Sequence, residues 1–168
     1  MEIEFTYATP DRQVAQRLEK ALDCHPVVAG LLADKGITTA DEALFFLNPD
    51  YSRLQNPFEL KDMSKAVERI HTAIGNKEKI LIFGDFDADG VTATAMLYQF
   101  LSLVDADLSW HVPHRTKEGY SLKLPHIGKA VSMDVDLIIT VDCGIGSHDA
   151  VQAAAREDID IIITDHHE

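Results

Sequence analysis

"KILIFGDFDADGVTATAM", Lys79 to Met96, decides the fold. Its first five residues, Lys79 to Phe83, form a short apolar run that reads as a strand covered on both faces. Three aspartates follow at alternate positions, Asp85, Asp87 and Asp89, and Gly90 closes the group. From Val91 to Val104 the pattern is helical. Like charges at this spacing repel one another, so the cluster needs a compensating partner.

The strand–helix alternation continues downstream. "LSWHV" (108–112), "DLIITV" (136–141) and "DIIIT" (160–164) read as short strands. A short helix is expected over 126–133 and another from Ser147 to Arg156. Continuously apolar, isoleucine-rich strands joined by helices predict an α/β fold: a Rossmann-like, doubly wound, mainly parallel sheet from about residue 79 onward. A helical N-terminal segment precedes it. Thr9-Pro10-Asp11 marks a helix start with Val14, Leu18, Ala21 and Leu22 on one face. His25 to Ala33 is a second helix, stopped near Gly36. Thr39 with Glu42 three residues on spells a capping box for a third, through Leu47. "NPDYSRLQNPF" (Asn48 to Phe58) reads as a loop with two Asn-Pro turns. Asp62 or Ser64 opens a further helix, with Ala66, Val67, Ile70 and Ile74 on one face and Gly75-Asn76 as its stop. The chain thus divides into a helical part, 1–60, and an α/β part, 61–168.

The bulk numbers bound the function. The 168 residues suit one domain with a small appendage, and 46% apolar residues suit a globular protein. Apolar runs reach only four to five residues, too few to span a membrane. "MEIEFTYATPDR" is acidic and lacks the apolar core of a signal peptide. Cys24 and Cys143 are far apart and read as two reduced, mostly buried thiols of a cytoplasmic protein. The net charge of −13 argues against general polyanion binding, so any nucleic-acid contact must be local and cation-assisted.

Three strands end on acidic or histidine residues: Asp85-Phe86-Asp87-Ala88-Asp89, Asp142-Cys143-Gly144, and Asp165-His166-His167. In open parallel sheets ligands bind beyond the carboxyl ends of the strands, so all three clusters are expected on one edge. Hard oxygens with imidazole suit Mn²⁺ or Mg²⁺. A single Asp after a strand is ordinarily a turn former or helix N-cap; it is the conjunction that points to cations. The cluster also spells positions 1, 3, 5 and 6 of an EF-hand, but position 12 is Met96 rather than Glu, and a strand precedes it. Gly84 and Gly90 do not make a dinucleotide fingerprint. Two metals about 3.5–4 Å apart would activate water for in-line attack at phosphorus, which makes phosphoester hydrolysis the expected reaction. Asp142 is expected to bridge. Asp87 and Asp89, on an extended turn, would reach different metals. His166 is a nitrogen ligand, and His167 contacts the phosphate or the water. "HVPHRTKEGYSLK" (111–123) adds His111, His114, Arg115, Lys117, Gly119 and Tyr120. Arg115 could hold a phosphate bidentately and Tyr120 could stack on a base, with a solvated basic loop as the alternative.

"GDFDADG", "VDCGI" and "TDHH" resemble motifs I, II and III of the DHH phosphoesterase superfamily, and the match is closest to the RecJ-type exonucleases. The lead-in "FLNPDYSRLQNPFELKDMSKAVERI" (46–70) and "VPHRTKEGYSL" (112–122) resemble that branch specifically. The resemblance runs from about Pro26 to the end. It implies a two-metal Mn²⁺ or Mg²⁺ site, 5′→3′ digestion of single-stranded DNA, roles in repair and recombination, and cooperation with single-strand-binding protein and a helicase. Residue by residue it carries Asp85, Asp87 and Asp89 to the first motif, Asp142 to the second, and Asp165, His166 and His167 to the third. It makes Asp85, Asp87, Asp89, Asp142 and His166 metal ligands and places His167, Arg115, Tyr120 and His114 near the substrate. The family's fourth motif, second domain and OB-fold lie outside these 168 residues. The chain is therefore expected to be an N-terminal piece, weak or inactive alone. The competing expectations are a non-catalytic scaffold on the same fold and a phosphodiesterase for short oligonucleotides or cyclic dinucleotides.

Overall fold

The computed structural model describes residues 9–167; the first eight residues, which begin the stretch judged against a signal peptide, lie outside them. Two compact units, Met1–Pro57 and Phe58–Glu168, are formed.

The first unit is three short helices. In α1 (Arg12–Leu22) the Asp11 carboxylate accepts the Gln13 and Val14 amides, and Val14 and Leu18 point inward. Pro26 opens α2 (Pro26–Asp34), where its missing N–H costs nothing. The capping box at α3 (Ala40–Leu47) forms as expected: Glu42 N–H donates to Thr39 Oγ1 at 3.3 Å and Thr39 N–H to Glu42 Oε2 at 3.1 Å. Val14, Leu18, Ala29, Leu32 and Ala43 close a small core. Two 3-10 turns, Tyr51–Arg53 and Pro57–Glu59, follow α3.

The second unit opens with α4 (Met63–Asn76), which runs to Asn76 and ends on Lys77 in the left-handed region, φ 59°. Then come β1 (Lys79–Gly84), α5 (Ala88–Ser102), β2 (Asp107–His111), α6 (Leu124–Ser132), β3 (Leu137–Val141), α7 (His148–Arg156) and β4 (Asp160–Thr164). The four strands are all parallel, in the order β2-β1-β3-β4. The two-residue period of each strand sorts its apolar residues between faces. Ile80, Ile82, Leu137, Ile139 and Val141 meet Ala73 of α4 and Leu101 of α5 on one side. Leu81, Phe83 and Ile138 meet Ile127 and Ala130 of α6 and Ala150 and Ala154 of α7 on the other. Each such large side chain contributes about 1.5–3 kcal/mol by leaving water. This is the doubly wound α/β arrangement.

The strand order positions the site. From β1 the chain steps to β2 on one side, then returns past β1 to β3 on the other. The reversal opens a crevice between the carboxyl ends of β1 and β3. Gly84 pairs with Val141, and Val141 with Thr164, so the residues that follow all three strands leave at one level.

One element starts earlier than the sequence pattern predicts. α5 begins at Ala88, not Val91, with Asp87 as its N-cap: Asp87 Oδ1 accepts the Asp89 and Gly90 amides, both at 3.0 Å. The acidic segment is therefore a strand-to-helix turn, not an extended one. Gly90 makes it possible, since a Cβ there would lie 2.5–2.7 Å from the Asp85 backbone. Gly90→Ala is expected to destabilise the chain by about 1–3 kcal/mol through overpacking. Gly128→Ala, on α6 with nothing within 4 Å, is expected to stabilise it by about 0.5–1 kcal/mol. Urea unfolding midpoints of both variants check this; equal shifts would contradict it.

Candidate metal centre

Asp85 leaves the end of β1 into the crevice and is only 3% exposed. Its Oδ1 has no hydrogen-bond partner. Burial pushes its carboxyl pKa up; the Phe86 amide pulls the other way, and the Asp87 and Asp142 carboxylates push it further up. One ligand oxygen from each of Asp85, Asp87 and Asp142 lies within 4.8 Å of the others. A buried acceptor without a donor, facing two more carboxylates, is costly unless a cation completes it.

Asp142 comes from the end of β3 in the left-handed region, φ 63°, a conformation found in turns and at functional sites. Its amide donates to Thr164 O at 2.9 Å, tying the ends of β3 and β4 together. Its Oδ1 lies 3.0 Å from His166 Nε2. Asp142, His166 and His167 form a second group of ligand atoms within 4.8 Å, so Asp142 belongs to both.

Asp165 is bound differently from the other acids. Its side chain is 1% exposed. Oδ2 accepts the Ile145 amide at 2.9 Å, and Oδ1 accepts the His167 amide at 3.1 Å and His167 Nδ1 at 2.7 Å. Burial works against its charge, but these donors outweigh it and hold its pKa below the usual value. The same bond raises the His167 pKa. Asp165 thereby fixes the His167 proton on Nδ1 and leaves Nε2 to face a ligand.

The loop after β2 reaches this centre through two rings. Tyr120 Oη lies 3.1 Å from His167 Nδ1, and burial first, then Asp165, pushes the phenol pKa up to about 12. The Arg115 guanidinium sits 5.2 Å from the centroid of the Phe86 ring, and Phe86 stands between Asp85 and Asp87 in sequence. His114 is placed differently: its Nδ1 accepts the Thr116 amide at 3.3 Å within its own turn. Asp89 lies in the first turn of α5, outside both ligand groups. Its expected partition with Asp87 between two metals rested on an extended turn, which the helix start removes. Phe86, Gly90 and the bracing role of Asp165 are not signalled by sequence spacing; only their place inside the motifs marks them.

The donor set, three carboxylates and two imidazoles with one orphaned buried oxygen, fits a hard divalent ion such as Mn²⁺ or Mg²⁺. The family model for the DHH family, N-terminal domain, matches residues 79–168, the stretch that carries all of these groups. The chain belongs to the DHH family. Among DHH-family relatives, the single-stranded-DNA-specific exonuclease RecJ of Bacillus subtilis (strain 168) is 40% identical over 159 residues, 95% of this chain and 20% of that protein. RecJ of Escherichia coli (strain K12) is 33% identical over 157 residues, 93% of this chain and 26% of that protein. The chain thus spans about a quarter or less of these curated relatives. A crystal structure of exonuclease RecJ bound to manganese superposes with a TM-score of 0.62 at 35% identity, over 65% of this chain and 28% of that one. RecJ of Thermus thermophilus in complex with Mn²⁺ gives 0.63 at 26% identity, over 96% and 22%. The same protein has also been solved with Mg²⁺.

Asp85→Asn tests the charge frustration of this DHH centre. In chelator at pH 7 the variant should gain about 1 kcal/mol, the scale of one relieved like-charge contact. In Mn²⁺ it should lose the stabilisation that the wild-type chain acquires. The raised pKa means that the folded chain holds the Asp85 proton more tightly than the unfolded chain does. Its contribution is therefore full below the ordinary value of 3.8 and falls as pH rises above it, in chelator only. Thermal midpoints over pH and Mn²⁺ check both; an Asn variant still stabilised by Mn²⁺ would contradict the assignment.

Proposed function

We propose that this chain carries the metal-holding part of a phosphodiesterase site that acts on single-stranded DNA, as a RecJ-type 5′→3′ exonuclease. One observation carries the reading: Asp85, Asp87 and Asp142 converge at the crevice between β1 and β3 with a buried oxygen unpartnered, beside the His166–His167 pair. Asp85, Asp87, Asp142 and His166 would hold Mn²⁺ or Mg²⁺. Held there, such ions would supply Lewis-acid polarisation of a phosphoryl group and a lowered pKa for water.

The protein's own groups do the rest. Asp142, shared by both ligand groups, keeps them in register. His167, held by Asp165, presents Nε2 to a phosphoryl oxygen or to a proton in transit. Arg115, resting on Phe86, supplies a planar fork for a phosphate next to the acidic centre. Tyr120, in edge contact with Phe86 and His167, offers a face for a terminal base. Such local recognition is compatible with a net charge of −13, because the phosphates meet the ions and Arg115 rather than a basic surface. No helix among the described residues is long and apolar enough to cross a membrane. The reading places the protein in the cytoplasm, in DNA repair and recombination, with single-strand-binding protein and a helicase as partners.

The test is release of label from 5′-labelled single strands by the chain at high concentration in Mn²⁺, where the turnover of these 168 residues alone should be weak. Cleavage should need the metal, spare duplex, and fall by about a hundredfold or more in Asp142→Ala. Faster cleavage of dinucleotides than of long strands would transfer the site to small phosphodiesters. Activity unchanged by Asp142→Ala would contradict the proposal.

A further inference from the structure

Apart from this centre, His111, Glu118 and His126 bring two ring nitrogens and a carboxylate oxygen within 4.8 Å of one another. Two imidazoles and a carboxylate would ordinarily suggest a transition-metal site. The opposite nitrogens of the two rings argue otherwise. His126 Nδ1 accepts the Lys123 amide N–H at 3.0 Å, inside the cap of α6. His111 Nδ1 faces the Lys129 ammonium, which can only donate, at 3.3 Å. A ring nitrogen that accepts is unprotonated, so each neutral ring carries its proton on Nε2. Both Nε2 atoms then face Glu118 Oε2: His111 hydrogen-bonds it at 2.7 Å, and His126 lies 3.4 Å from it. A protonated Nε2 has no lone pair for a metal. Binding there would need an imidazolate or the loss of the α6 cap.

The cluster is therefore a clasp around a carboxylate. Glu118 Oε1 accepts the His114 amide at 2.8 Å, and the Glu118 carbonyl accepts Lys123 Nζ at 2.8 Å. The bonds to His111 and to the His114 amide, with His126 Nε2 3.4 Å from the same carboxylate, tie the end of β2 and the first turn of α6 to the loop itself. Both rings pack on Phe83, whose core position fixes them, at centroid distances of 5.5 and 4.9 Å. Glu118 stands between Arg115 and Tyr120 in sequence, in the turn that bends back on His114 O.

We propose that Glu118 is a positioning residue: clasped by neutral His111 and His126, it fixes the 114–120 turn so that Arg115 lies on Phe86 and Tyr120 on His167. The DNA-binding part of this inference rests on the function proposed above. The His114 amide and then His111 hold the Glu118 pKa down to about 2, so the acceptor stays ionised under ordinary conditions.

The test uses the 168-residue chain and Glu118→Gln, which keeps the shape but removes an acceptor. In the wild type, long-range ¹H–¹⁵N spectra should show His111 and His126 protonated on Nε2, unchanged by Zn²⁺. In E118Q, amide exchange over 114–120 should accelerate while β1 and β3 stay protected. Affinity for a single-stranded oligonucleotide in Mn²⁺ should drop about tenfold, the scale of one charge-assisted bond. Mn²⁺ affinity should not change, and E118Q added to the Arg115→Ala/Tyr120→Ala pair should bind no worse than that pair alone. Zn²⁺ shifting the two rings, unchanged loop exchange in E118Q, or additive losses would each overturn the proposal. A wild-type chain that binds no DNA would defeat the proposed function, while ring tautomers and loop exchange would still decide the clasp. The wild-type ring spectra also decide it if E118Q fails to fold.

Discussion

Asp85, Asp87 and Asp142 are brought together by backbone topology, not by attraction. β1 and β3 are parallel neighbours on either side of the chain reversal, so whatever follows them in sequence is delivered to one crevice. Here both deliver carboxylates, and Asp85 is buried with an oxygen that no donor reaches. The surrounding features make sense as means of holding this repulsive arrangement. Two apolar layers clamp the sheet from both faces. Asp87 is partly neutralised as an acceptor at the N-terminus of α5, where the helix dipole favours negative charge. Asp142 is locked by its own amide to the end of β4. The frustration that remains is the driving force for taking up a divalent ion.

Histidine placement follows the same logic of fixed orientation. Asp165 has its bonds committed to Ile145 and His167, and this is what separates it from the acids that remain open. The loop after β2 shows the device again in another chemistry: Glu118 collects donors from His111, His114 and His126 and leaves Arg115 and Tyr120 aimed at the centre. In both places a carboxylate that looks like a ligand is a brace, and the second ring nitrogen of each histidine tells brace from ligand.

The sheet was legible in the sequence because continuous apolar runs such as Ile80–Phe83 and Leu137–Val141 have no other good use than strands covered on both faces. The common edge for the three clusters followed from parallel topology alone. The start of α5 was not legible: periodicity begins at Val91, while Ala88 to Gly90 are helical only because Asp87 caps them and Gly90 lets the helix approach β1. For the same reason the place of Asp89 in the first turn of α5 was not legible. Contacts between Arg115 and Phe86, or Glu118 and His126, join residues whose meeting depends on how a loop folds over a helix, and no local pattern encodes them.

Anomalous diffraction at the manganese edge, on crystals of the chain grown with Mn²⁺, tests the central claim most directly. The account predicts a peak in the crevice between Asp85, Asp87 and Asp142, with His166 turned toward it, and none between His111 and His126. An empty crevice at saturating Mn²⁺, or a peak held by His111 and Glu118, would contradict it.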